Sequence, residues 1–155
     1  MLLLVFHAGG ARYGLEASGI IEVIPVAALR PVPGAAGNVA GLLNYHGAIV
    51  PVLDLTSLLT GNSTIPRMSS RIVIVDFHAA DGMKHPLGLL AERATDTILC
   101  REQDFQPAGI RTPEAPYSGD ILIDRSGTVQ KVEVGKLLPA DVQQRLFNAT
   151  ATTKT

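Results

Sequence analysis

The stretch Gly41-Leu42-Leu43-Asn44-Tyr45-His46-Gly47-Ala48-Ile49-Val50-Pro51-Val52-Leu53-Asp54-Leu55 constrains the fold more than any other part of this chain. A glycine-bounded turn leads into an apolar strand, and the strand ends at an Asp suited to cap a short helical turn. The segment carries no recognisable catalytic chemistry. It points to a β-module that binds other proteins.

Similar aliphatic runs recur at Leu2–Phe6, Ile20–Ile24, Arg71–Phe77, Ile121–Asp124 and Thr128–Val134. Each has strand length and is rich in Val, Ile and Leu. Turn compositions fall between them at Ala8-Gly9-Gly10, Ala80-Asp81-Gly82 and Arg125-Ser126-Gly127. Helix signals are few. Thr56-Ser57-Leu58-Leu59 suits a single turn, stopped by Gly61-Asn62. Pro139-Ala140-Asp141 opens a C-terminal helix in which Leu138, Val142 and Leu146 share a face, ending near Phe147. A flexible tail is expected over 148–155.

With 155 residues, 46% of them apolar, the chain is long enough for one compact domain, or for two small lobes sharing a core. The net charge of −1 has no basic stripe behind it, so nucleic acid is not an expected partner. Cys100 is the single cysteine and excludes an intramolecular disulfide. Met1–Phe6 is too short to span a membrane and lacks a cleavage pattern, so it is expected to be a first strand rather than a secretory signal.

The chemistry-bearing residues are sparse. His7, His46, His78 and His85 are scattered, without a His-x-x-x-His pair, so no metal is expected. There is no Gly-x-Ser-x-Gly elbow, and Gly34-Ala35-Ala36-Gly37 matches no phosphate loop. Asp54 is the one carboxylate in a strongly apolar strand. It is read as a cap for the following turn, with a general base as the competing role.

The chain also carries signs of internal duplication. Tyr13-Gly14-Leu15 aligns with Leu87-Gly88-Leu89, Glu22 with Asp96, and Ile24 with Ile98. Further on, Leu53-Asp54-Leu55-Thr56-Ser57-Leu58-Leu59 aligns with Val132-Glu133-Val134-Gly135-Lys136-Leu137-Leu138. Two small antiparallel β-barrels are the expected architecture.

These motifs, in this order, resemble the CheW-like domain, the adaptor of bacterial chemosensory arrays. The resemblance rests on Tyr13-Gly14-Leu15, Ile20-Ile21-Glu22-Val23-Ile24, Arg30-Pro31-Val32-Pro33 and Gly41 to Leu55. In the second half it rests on Arg71–Val75, Leu87–Leu90 and Val132–Leu138. It implies two SH3-like, five-stranded antiparallel barrels sharing a hydrophobic core, with a C-terminal helix. The single domain is expected over residues 1–147, with the change of lobe near 60–70. A chain of this length looks like the free-standing adaptor.

The resemblance further implies a non-enzymatic role without cofactors. The implied partners are the cytoplasmic tip of methyl-accepting chemoreceptors and the regulatory domain of a CheA-type histidine kinase. The implied location is cytoplasmic, at receptor arrays. By position, Ile20, Glu22, Gly41, His46, Ile72 and Thr97 are the expected receptor groove. Pro33, Ile49, Val50 and Pro51 are the expected kinase-facing surface. Barrel core is an equal reading for Ile20 and Ile72. The sequence departs from the family pattern where His46 replaces an Arg and Thr97 a Val. Ala91-Glu92 also replaces a Val-Asp, and the Gly34–Asn38 loop lacks a Pro and an aromatic residue. A small ligand-sensing or regulatory β-barrel, responding to pH through His46, is the alternative.

Overall fold

The structure is a computed structural model and describes residues 1–35, 38–108 and 112–153, the residues from 148 onward through their backbone alone. Ten strands are present among the described residues. They are β1 (Leu2–Ala8), β2 (Ala11–Glu16), β3 (Ile20–Pro25), β4 (Val39–Tyr45), β5 (Ala48–Asp54), β6 (Arg71–His78), β7 (Lys84–Leu99), β8 (Phe105–Gln106), β9 (Ser118–Asp124) and β10 (Gly127–Val132). The helix α1 (Leu55–Thr60) follows β5, and α2 (Ala140–Thr153) is the last element among the described residues.

The strands form two SH3-like barrels of five main strands, joined through β7. The first half of β7 pairs with β6 and β5, and β3 and β4 complete this central barrel. The second half pairs with β1, and β2, β10 and β9 complete a terminal barrel, with two-residue β8 on its edge. Each barrel contains one parallel pairing, β5 with β7 and β2 with β10, among otherwise antiparallel neighbours. The duplicated motif falls on these pairings. Gly88 lies opposite Val52 in one and Gly14 opposite Lys131 in the other. Both approaches are close, since a Cβ on Gly88 would stand 2.8 Å from Val52 Cγ2 and one on Gly14 3.1 Å from Leu3 Cδ1.

The two halves are swapped with respect to the barrels. The β1–β2 hairpin joins β7, β9 and β10 from the second half of the chain, while β6 and the start of β7 join β3, β4 and β5 from the first. The lobe change expected near 60–70 is therefore not where pairing changes sheet. It changes at the short 3-10 turn Ala17–Gly19 and at the β7 bulge, where His7 faces Glu92 but Val5 faces Asp96. The reason is that pairing partners are chosen by long-range packing, which adjacency along the chain does not encode.

The largest core cluster lies between the barrels. Leu4, Phe6 and Leu15 of the terminal barrel meet Val73, Val75, Phe77, Leu87 and Leu89 of the central barrel there. Leu146 and Phe147 of α2 close it from one end. Each barrel also has its own smaller interior, with Leu43, Val50, Val52, Ile72, Ile74 and Leu90 in the central one. Leu3, Cys100, Leu122 and Val129 fill the other. The sequence runs locate β1, β3, β5, β6, β9 and β10, although β10 stops at Val132, where a 3-10 turn over Val134–Lys136 takes over. The C-terminal helix continues past Phe147 to Thr153. Lys154 and Thr155, and with them the end of the expected tail, lie outside the described residues.

Two local devices hold the Gly41–Leu55 stretch in place. Asp54 caps α1: its Oδ1 accepts from Ser57 N at 3.1 Å and Thr64 Oγ1 at 2.5 Å, and its Oδ2 accepts from Thr64 N at 2.8 Å. Both oxygens of this buried carboxylate are thus occupied, and the residue pins the loop after α1 as well as the helix start. Gly41 has φ 151°, and a Cβ there would lie 2.8 Å from the Arg30 carbonyl. That carbonyl accepts from Leu42 N at 2.8 Å while Arg30 N donates to Leu42 O. A bare α-carbon lets the Arg30 segment lie flat on β4.

Asp54→Ala is expected to lower the unfolding free energy by about 2 kcal/mol, through the lost cap and the orphaned Thr64 donors. A reduced denaturant midpoint at unchanged m-value would show it. Gly41→Ala is expected to cost about 2 kcal/mol or more, because strain and overlap add, and differential scanning calorimetry would record the lower Tm.

Candidate functional site

Along β1, Leu4 and Phe6 point into the core between the barrels, and Leu2 stands on the same face two residues further out, 43% exposed. Directly paired residues share a face of the sheet. Leu99 pairs with Leu2 and Thr97 with Leu4, so both continue that face. Leu99 is 81% exposed and Thr97 is exposed. On the central barrel, Ile20 pairs with Val75 and Val23 with Val73, both core residues of the same cluster. Ile20 packs partly against that cluster and Val23 is exposed. The 3-10 turn leading into β3 rests against β1. Leu2, Ile20, Val23, Thr97 and Leu99 thereby extend the shared core to the surface as an apolar strip with one polar member.

Glu22 faces the other way. It pairs with Ile74, on the side of the central barrel's own interior, because the β3 bulge between Ile20 and Glu22 shifts the alternation. There it accepts a hydrogen bond from Tyr45 Oη at 2.6 Å, with His46 Nε2 at 3.7 Å. The Tyr45 and His46 rings lie 4.5 Å apart. The hydrogen bond to Glu22 favours the protonated phenol and holds the Tyr45 pKa above its usual value. His46 and Gly47 form the two-residue turn between β4 and β5, with φ 52° and 85°. This is the type I′ pattern, in which His is among the few non-glycine residues favoured at positive φ. Asn44 Oδ1 accepts from Gly47 N at 3.0 Å and locks the turn.

The residues singled out by sequence therefore divide. Ile20 and Thr97 lie on the strip between the barrels, whereas Glu22 and His46 form a separate cluster at the β4–β5 hairpin tip. Gly41 is buried and serves backbone packing. Ile72 is fully buried in the central barrel, so it offers no side chain to a groove. Val50 is likewise fully buried and Pro51 is buried, which removes both from a contact surface. Pro33 is exposed, and Ile49 is half-buried beside a shallow hollow shared with Ala28, Arg30, Leu42 and Asn44.

Leu2, Val23 and Leu99 were not singled out from the sequence. The available signal was the alternation Thr95, Thr97, Leu99, which marks a solvent-facing row ending in an unexplained large apolar residue. A second hollow between the barrels, of about 620 Å³, is walled by Leu53, Leu58, Tyr117, Leu137 and Val142. Tyr117 Oη donates to Leu58 O at 3.3 Å across it, and burial raises the Tyr117 pKa. Among the described residues, no group of three or more His, Cys, Asp or Glu side chains is placed to hold a metal ion. No described helix is long and apolar enough to cross a membrane.

The chain resembles proteins of known name over most of its length. A chemotaxis protein CheW of Rhizobium meliloti is 22% identical over 148 residues, spanning 92% of this chain and 90% of the relative. A chemotaxis protein CheW of Treponema pallidum is 24% identical, with 94% and 86% covered. The crystal structure of the scaffolding protein TtCheW from Thermoanaerobacter tengcongensis superposes with a TM-score of 0.77 at 23% identity, covering 89% of this chain and 87% of that one, and so shares the fold. The family model for the CheW-like domain matches residues 2–142. With nine-tenths of its residues inside that match, the chain belongs to the CheW-like domain family.

Proposed function

We propose that this protein is a chemosensory adaptor that couples the cytoplasmic tips of methyl-accepting chemoreceptors to the regulatory domain of a CheA-type histidine kinase, at arrays on the inner face of the membrane. The observation that carries the reading is the family match over residues 2–142, joined to an apolar strip at the seam of the barrels. An amphipathic receptor helix needs an apolar seat of this kind. Leu2, Ile20, Val23, Thr97 and Leu99 provide it, with the apolar side chains of Leu2, Val23 and Leu99 grouped on one exposed margin. The kinase domain docks on the central barrel, around Pro33, Ile49 and the hollow that Ile49 shares with Leu42. The role is structural rather than catalytic. Asp54, the carboxylate with the best claim to be a base, has both oxygens committed to capping.

The test is a pair of titrations of the full chain, against the kinase regulatory domain and against a receptor-tip fragment from the same organism. Saturable binding to both is expected. Thr97→Arg places a long cation on an exposed strip position and should weaken receptor binding about tenfold or more while leaving kinase binding within about twofold. Ile49→Glu should do the reverse. Thermal midpoints of both variants should stay close to that of the parent. Failure of the unaltered chain to bind either partner would overturn the proposal.

A further inference from the structure

We infer that the hollow walled by His7, Gly9, Gly10, Arg67, Ser69 and Arg93 is a binding site for a small phosphoryl anion, either inorganic phosphate or a phosphomonoester. It measures about 260 Å³ and lies away from both proposed docking surfaces, so it does not depend on the adaptor reading. Three segments converge on it: the β1–β2 turn, the loop before β6, and the bulge where β7 passes from one barrel to the other.

Two exposed arginines line this hollow, with their backbones fixed and their guanidinium groups free of any ion pair among the described residues. Arg93 has φ 50°, a left-handed conformation that costs an ordinary residue. The bulge would be satisfied with less strain by Gly or Asn, yet an Arg stands there. Strain of this kind persists where the surrounding structure over-determines it, and it clusters at functional sites. Arg67 is clamped through its backbone: its N–H donates to Ser70 Oγ at 3.0 Å, and its carbonyl accepts from Ser70 N at 3.0 Å. Ser70 itself is buried. Among the described residues, no carboxylate comes within ion-pair distance of either guanidinium, whereas Arg12 and Arg145 are both paired.

The chemistry of the walls fits an oxyanion. A guanidinium presents planar paired donors that match phosphate oxygens. His7 and the Ser69 hydroxyl add donors, and Gly10, with nothing within 4 Å of where a Cβ would stand, leaves bare backbone on the rim while Gly9 packs against Thr60. Glu92, cross-strand from His7, is the one carboxylate on the wall, and the two arginines outweigh it. The volume suits a phosphoryl group with a short ester rather than a drug-sized ligand.

The experiment follows backbone amide resonances of the full chain during addition of inorganic phosphate, with potassium chloride at matched ionic strength as control. A parallel arm uses glycerol phosphate. The comparison variant is Arg67→Ala with Arg93→Gly, a pair that keeps the exposed loop and the positive φ, and its ligand-free spectrum checks the fold. Saturable shifts at Gly9, Gly10, Ser69 and Arg93 are expected, with affinity falling about tenfold or more in the double variant. Tighter binding of glycerol phosphate than of phosphate would identify the ligand as an ester, and the opposite order would identify free phosphate. Shifts reproduced by chloride, shifts confined to other regions, or unchanged affinity in the double variant would overturn the assignment.

Discussion

The architecture depends on the continuity of β7. Its sixteen residues exceed the usual strand length, and its two halves bond to different sheets. Without it the barrels would be joined by backbone only through the Ala17–Gly19 turn between β2 and β3. With it the main core forms between them, and that core is larger than the interior of either barrel. The bulge at Glu92 and Arg93 lets one strand serve both, since it turns the strand without ending it. The apolar strip proposed to seat a receptor helix is the outer margin of that same core.

Much of this was legible in the sequence, for identifiable reasons. Strands buried on both faces read as unbroken aliphatic runs, which is why Ile49–Leu53 and Arg71–Phe77 stand out. The Asp54 cap was legible because a carboxylate at a strand end has one common local use. The strands absent from the sequence runs are β2, β4, β7 and β8. Ala11–Glu16 and the second half of β7 alternate polar with apolar residues, and Val39–Tyr45 is interrupted by Gly41 and Asn44. The swap of hairpins between barrels was not legible, because it is decided by contacts between residues about a hundred positions apart, such as Arg12 with Asp124 at 3.0 and 2.5 Å.

The site was legible only in part. The family resemblance implies a receptor groove with Ile20, Ile72 and Thr97 and a kinase-facing surface with Val50, yet Ile72 and Val50 are sealed inside the central barrel. A β-branched residue in a strand looks the same whether its face is covered or bare. Only the partner strand decides, as Val75 does for Ile20 and Leu4 for Thr97. The place of His46 has a local explanation. The β4–β5 turn asks for positive φ at both central positions, and His tolerates this better than most side chains while still reaching toward Glu22.

The exchange of hairpins also sets an order of events during synthesis. Residues 2–16 find their sheet partners only in the second half of β7 and in β10. At roughly 5–20 residues per second, the ribosome leaves the aliphatic segment Leu2–Phe6 without its proper neighbours for on the order of ten seconds. Neither barrel can be completed from the first half of the chain alone. A nascent chain of this design therefore carries an exposed aliphatic strand until its late partners have been made, which is a window for pairing with other chains.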